Sequence, residues 1–425
     1  MLALGGPLRK ASARDITTTR FWFMEINLAI PATLAVAALV LIVGRRMIER
    51  IGPLRRYSIP KAVAGGLVAA ILIALLKGVG LPVMFDTSLQ PSLMLAFFAT
   101  IGLGADVKML ARGGVALMLF TACVVGMLLM QNIVGVGAAL AMGIDPVIGL
   151  IAGSVTMAGG HGTGAAWGQR FAESFGLAAA PSIALATATF GLIMGGLIGG
   201  PVAERLVRRL EAQGAPLGVA RAVHADAGVD AAEPFTPERL IFPILLITAA
   251  MALGGELSKL TENPKFTLPT FVWTLFAGAL LRNVLAAAKL HAVDDEALTF
   301  TGSIALSLFL AMALMSLRLW ELATLALPML VILVLEATCV ALFTTFITFR
   351  VMGQNYEAAA LVAGQCGFGL GATPTAVANM QAVCRRHGYA PQAFILVPVV
   401  GAFLIDLANA LVISGFAGIM DTIRG

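Results

Sequence analysis

The sequence predicts an all-α integral membrane protein made of two inverted repeats of five transmembrane helices, each repeat with a re-entrant hairpin between its fourth and fifth helices. Three observations lead there. Of the 425 residues 59% are hydrophobic and only 12% charged, about half the charge share of a soluble domain. Charged residues are spaced so that long uncharged runs lie between them, for example 32 residues between Arg112 and Asp145 and 30 between Glu173 and Glu204. Two glycine-rich, broken apolar stretches stand about 211 residues apart.

Taken in order, residues 1–23 read as an N-terminal extension, with Met24 as the working start. Crossing a bilayer takes about 20 residues with few charges, and ten stretches meet that need: near 26–44, 60–80, 90–105, 113–142, 179–200, 240–256, 268–290, 298–317, 322–349 and 391–416. The first ends in Gly44-Arg45-Arg46 with no small-residue cleavage pattern, so it reads as a retained helix rather than a signal peptide. The stretches 146–168, with seven glycines, and 357–383, with four glycines and Pro374, are too interrupted for ordinary spans. Irregular backbone at membrane depth persists only where protein or a water-filled cavity satisfies it; each stretch is therefore expected to be a hairpin. Residues 201–239, with six acids against five arginines, read as a cytoplasmic linker between an N-terminal repeat (24–200) and a C-terminal repeat (240–425).

The net charge of +5 comes from short basic clusters between apolar runs, which report topology and not polyanion binding; no nucleic acid is expected as a partner. Arg45, Arg46, Arg50, Arg55, Arg56 and Lys61 place the first connection in the cytoplasm. Alternation then puts 17 Lys and Arg inside against six outside, four more lying in the extension and Arg282 within a span. Both termini are expected to be periplasmic. Tyr57, Trp320, Tyr356 and Tyr389 fall at the ends of spans or hairpins. Cys123, Cys339, Cys366 and Cys384 show no metal-ligand spacing. With no paired catalytic acid or transition-metal constellation, an enzyme is not expected.

The repeat is legible in detail. Ala152-Gly153-Ser154 returns as Ala363-Gly364-Gln365 and Met142-Gly143 as Met352-Gly353; Gly160 falls on Gly371 and Ala165 on Ala376. Because five spans is an odd number, the second half enters from the opposite side, the pattern of secondary transporters whose site lies between the halves. A hairpin tip aims a helix N-terminus and bare backbone amides at one point, which suits an anion. Ser154, Thr156, Gly160, His161, Gly162 and Thr163 are the candidate substrate ligands of the first hairpin; Gln365, Gly369, Gly371, Thr373 and Thr375 are those of the second, with Thr373 as N-cap before Pro374. Neither glycine run has the strand context of a phosphate or dinucleotide loop. Asp406, midway in a 33-residue stretch between His387 and Asp421, has Asn409 on the same helical face. A carboxylate at that depth needs a partner. A hard cation that takes oxygen ligands can be that partner, with Asp406, Asn409 and Asn379 as candidates. Glu336, also mid-span, faces a dimer partner or pairs with Arg282.

Gly159-Gly-His-Gly-Thr-Gly-Ala-Ala-Trp167 and Gly367-Phe-Gly-Leu-Gly-Ala-Thr-Pro-Thr-Ala376, together with Gln131-Asn132 and Gly401-Ala-Phe-Leu-Ile-Asp406, resemble the paired motifs of the bacterial sodium/glutamate symporter family from about Met24 to the end of the chain. The resemblance implies a homodimeric carrier of the bacterial inner membrane that brings L-glutamate in with Na+ by alternating access, without a further cofactor. The extension before Met24 and the acid at Glu336 depart from the family pattern. Alternatives left open by the residues are another small organic anion such as a dicarboxylate or sulfonate, H+ in place of Na+, and an anion channel.

Overall fold

The structure is a computed structural model, which describes residues 26–56, 59–79, 81–105, 114–214, 236–261, 268–288, 290, 293–315 and 325–424. The extension, Tyr57, Lys108, Arg112, Trp320 and residues 215–235 of the expected linker lie outside them. The chain runs β1 (Ile26–Leu28), α1 (Ile30–Arg50), α2 (Gly52–Arg56), α3 (Lys61–Gly78), β2 (Val83–Phe85), α4 (Gln90–Leu103) and α5 (Gly114–Ala141). A broken segment follows, α6 (Pro146–Val155, its last turn π-type) and α7 (Gly160–Phe175), then the long α8 (Ala180–Ala212). The second half comprises α9 (Pro237–Leu260), α10 (Thr270–Ala288), α11 (Asp295–Met315), α12 (Ala326–Val351), a second broken segment of α13 (Tyr356–Leu370) and α14 (Thr373–His387), and finally α15 (Pro391–Val399) and α16 (Ile405–Arg424), joined by a π-type stretch.

Among the described residues eight helices are long and apolar enough to cross a bilayer. The protein is thus a mostly helical, multi-pass membrane protein. This fits the all-α class, with one short addition: β1 and β2 pair in parallel, Ile26 opposite Val83 and Leu28 opposite Phe85. The pair is not legible in the sequence because Ile26-Asn27-Leu28 runs straight into the apolar stretch of α1 and is too short to show an alternation of its own. Pro31 then begins α1, and proline also stands at the first or second position of α4, α6, α8, α9, α14 and α15, where its missing N–H costs no hydrogen bond.

Other boundaries moved for identifiable reasons. α8 does not stop at Gly200 but continues through Pro201 to Ala212. Ala203, Leu206, Val207 and Leu210 recur at helical spacing and are all buried in the main core, so this part of the expected linker is a packed helix. Helices approach closely where glycine permits it: a Cβ on Gly65 would lie 1.9 Å from the Val40 carbonyl oxygen, and one on Gly149 2.1 Å from that of Gly135. Such backbone contact is the usual basis of helix association in lipid.

Polar contacts sort the helix ends into two groups. In one, β1 meets β2, and Arg424 at the end of α16 bonds the Asp145 carboxylate at 2.8 Å and the Phe175 carbonyl at 3.2 Å. In the other, His387 at the end of α14 meets Glu204 and Glu211 of α8 at 3.0 and 3.1 Å, and Arg239 meets Asp294 and Glu296 at 2.8 and 3.0 Å. Arg282 is bonded twice to Asp295, at 2.5 and 3.2 Å, and not to Glu336 as the sequence suggested. Glu336 is fully buried, with both carboxyl oxygens unpartnered, beside Gly135.

Candidate functional site

Where the two helices of each broken segment meet, the backbone leaves helical geometry at particular residues. Gly153 has φ −82° and ψ −138° within the π-type turn, and a Cβ there would lie 2.9 Å from Asn132 Oδ1. Gly160 opens α7 at φ +62°, a conformation that costs other L-residues about 1–2 kcal/mol. The second break spans Gly371 and Ala372, after which Thr373, Pro374 and Thr375 form the first turn of α14. The first N–H groups of a helix have no intrahelical acceptor. In the first turns of α7 and α14 the Gly160 N–H is already bonded to the Thr156 carbonyl at 3.0 Å and Pro374 has no N–H, so the donors these turns bring are those of their other residues.

Both point into one cavity of about 610 Å3. On its wall are Gly160, His161, Gly162 and Thr163 from the first break, Gly371, Thr373 and Thr375 from the second, and Asp406 from α16. A Cβ on Gly160 would lie 3.0 Å from the Gly371 carbonyl oxygen, so the two breaks face each other directly. Phe97, Leu192, Leu306 and Phe368 supply apolar surface, and Lys61, Thr299 and Ser307 further polar groups. His161 Nε2 stands 3.0 Å from Thr189 Oγ1, whose hydroxyl donates to the Leu185 carbonyl at 2.8 Å. With that proton committed, the imidazole is the donor at Nε2.

The remaining sequence candidates stand behind this wall and brace it. Adjacent residues of α5 reach both breaks: Gln131 Nε2 donates to the Gly369 carbonyl at 2.9 Å, and the Ser154 N–H donates to Asn132 Oδ1 at 2.9 Å. Asn409, expected beside Asp406 as a cation ligand, donates through Nδ2 to the Ser154 carbonyl at 2.8 Å, and its Oδ1 is buried without a partner. The i, i+3 spacing is right, yet only Asp406 reaches the cavity. Asn379 donates to the carbonyls of Gly195 at 2.9 Å and Ala363 at 3.3 Å, and Thr156 Oγ1 to Ile151 at 2.6 Å. Gln365 is buried, its amide 3.5 Å from Met127 Sδ. Thr373 is not the N-cap of α14; Ala372 holds that position without a side-chain bond, and Thr373 Oγ1 donates to the Gly401 carbonyl at 2.6 Å. A threonine before proline reads as a cap in one dimension, whereas the distant Gly401 backbone is invisible there. Lys61, Thr299 and Ser307 carry no site signal in the sequence, because Lys61 belongs to a basic topology cluster and the two hydroxyls look like ordinary span residues. Gln131 and Asn132, two polar residues in the middle of an apolar run, were the available signal for the brace.

A mostly helical membrane bundle with two helix breaks facing one polar-lined cavity is an architecture that suits a carrier. Comparison with known proteins narrows the class. The profile of the family described as "Sodium/glutamate symporter" matches residues 26–389, and the chain belongs to that family of transporters. It is 50% identical over 383 residues to the "Sodium/glutamate symporter" of Escherichia coli (strain K12), covering 90% of this chain and 96% of the relative. The protein of the same name from Haemophilus influenzae is 46% identical over 388 residues, covering 89% and 94%.

Proposed function

We propose that this chain carries L-glutamate into the cytoplasm together with Na+ by alternating access, as a homodimer in the bacterial inner membrane with both termini periplasmic. The observation that carries this reading is the single cavity on which the first turns of α7 and α14, Lys61 and Asp406 converge. The transported species bears one ammonium and two carboxylates. Two helix N-termini and a lysine suit the carboxylates; Asp406 suits a cation, which in turn removes the cost of a buried carboxylate. The names of the similar proteins supply glutamate and sodium.

In this reading the broken segments are re-entrant hairpins at matching places in two inverted five-helix repeats, and the bundle that bears them moves as an elevator against the rest. The positions of the two breaks and the polar grouping of helix ends support it. Cavity-lining Gly160, His161, Gly162, Thr163, Gly371, Thr373 and Thr375 bind substrate. Ser154, Thr156, Gln365, Gly369, Asn379 and Asn409 hold the breaks in shape, and Asp406 is the cation ligand.

Uptake of labelled glutamate into proteoliposomes, with and without an inward Na+ gradient, tests the function. For the role of Asp406, Asp406→Asn preserves size and hydrogen bonding and removes the charge. The Na+ concentration for half-maximal uptake should rise at least tenfold, while yield and thermal stability without Na+ stay near the parent. An unaltered Na+ dependence in a well-folded variant would exclude the assignment.

A further inference from the structure

A second cavity, of about 790 Å3, lies between the later half of α8 and the outer face of α14. Its long walls are kept low by small residues, Gly196 and Gly200 on one side and Ala378 and Ala382 on the other. Its charged rim holds Arg205, Arg208 and Arg386 against one carboxylate, Glu204. That carboxylate is already engaged: His387 Nε2 is 3.0 Å away, Arg208 Nε 3.4 Å and Arg386 Nη1 4.0 Å. The Arg208 and Arg386 side chains remain 73% and 72% exposed, leaving most of each guanidinium's donor capacity available to another anion. At the inner end stands Thr375, 4% exposed and with its hydroxyl unpartnered. Thr375 lines the candidate substrate cavity as well, so one threonine belongs to the walls of both spaces.

A basic rim, a floor of small residues and an unused buried hydroxyl at the junction describe a path for a small anion. Guanidinium groups bind carboxylates at the mouth, and like-signed charge at a cleft raises the local concentration of the opposite ion. We propose that this groove is an anion conduit through which the carboxylate substrate passes between the cavity and the aqueous side that bears Arg205, Arg208 and Arg386. The proposal rests on the glutamate-carrier reading for its cargo. It adds a route and a second, weaker carboxylate site, formed by Arg208 and Arg386 at the rim.

Ala378 is exposed on the groove wall, which makes Ala378→Cys a direct probe, with the unsubstituted protein giving the background of the native cysteines. Purified protein is treated with two methanethiosulfonates of similar size, one bearing a sulfonate and one a trimethylammonium group. The sulfonate reagent should react about tenfold faster, glutamate should slow it, and uptake by the modified protein should be blocked. Arg208→Gln with Arg386→Gln should bring the two rates together. If Ala378→Cys does not assemble, Ala382→Cys, one turn nearer the rim, serves the same purpose. Equal rates for the two reagents, or full modification with uptake unchanged, would overturn the conduit. Failure of the carrier reading is seen separately, as untreated protein without glutamate uptake; charge-selective labelling in such a protein would remove glutamate as the cargo and with it the proposal.

Discussion

Gly160 and Gly176 share a backbone requirement and differ in surroundings, which separates strain from function at the scale of one residue. Both have φ near +65°, at +62° and +67°. A methyl group on Gly160 would press on the Gly371 carbonyl across the cavity, while one on Gly176 meets nothing within 4 Å. Alanine at either position should cost about 1–2 kcal/mol of stability through the left-handed conformation. Only Gly160→Ala should also raise the apparent KM for substrate, because only there does the new group stand between the two breaks. Thermal melting and uptake measured on the same two preparations check this, and equal kinetics would make Gly160 a conformational residue alone. The bracing asparagines belong to the same scale. Asn132 and Asn409 grip the two successive peptide units that flank the Cα of Ser154, one through its N–H and the other through its C=O, so the wall of the cavity is held by groups that do not line it.

At the scale of elements, the start of α11 combines two stabilising contacts on one side chain. Asp294 Oδ1 accepts the Ala297 N–H at 3.0 Å as a cap, and Asp294 Oδ2 accepts from Arg239 of α9 at 2.8 Å. The Ala297 amide is the larger influence and Arg239 a further one in holding the Asp294 carboxyl below its ordinary range. Asp294→Asn keeps the cap and removes the ion pair; Asp294→Ala removes both. The loss of a cap costs about 1 kcal/mol and a partly exposed ion pair about 0.2–1 kcal/mol. Alanine should therefore lower the melting temperature more than asparagine, and the difference between them measures the cap. If the two variants melted together, the Arg239 link would carry the junction of α9 and α11.

For the whole molecule, the contacts between α8 and α14 make stability depend on pH. Hydrogen bonding from His387 first, then its charge and Arg208, hold the Glu204 carboxyl below its ordinary value of 4.5. A carboxyl lowered in the folded state contributes stability that is present above that value and lost as pH falls through the lower one. Melting temperature should accordingly drop as the pH is taken below about 4.5. Glu204→Gln should melt lower than the parent at neutral pH and show a smaller further drop in acid. Parallel acid profiles for the two proteins would remove Glu204 from the account. This contact also joins the second broken segment to a distant helix at the mouth of the basic groove, so its loss should be felt in transport as well as in melting.

Much of the architecture is written in one dimension because the solvent is lipid. A span needs a long uncharged run and proline suits the first turn of a helix, so the helices near 30–50, 237–260 and 391–424 follow from composition and punctuation alone. The two breaks are legible in the same way: a stretch with seven glycines in 146–168, and Gly371 followed by Pro374, mark where a helix is weakened and restarted. The motif residues by themselves likewise resemble those of the symporter family. What no spacing rule could supply is which polar groups share a cavity. Asp406 and Asn409 lie one turn apart on the same helix, and only packing against Ser154 turned the asparagine into a brace while the aspartate reached the cavity. Lys61 and Asp406 are 345 residues apart in sequence and line the same wall. The basic groove arose from α8 running twelve residues beyond Gly200, because the buried face of that extension is set by α13 and α14, which come much later in the chain. Local sequence determines where a helix starts, breaks and enters lipid; contacts between distant segments decide which of its side chains meet.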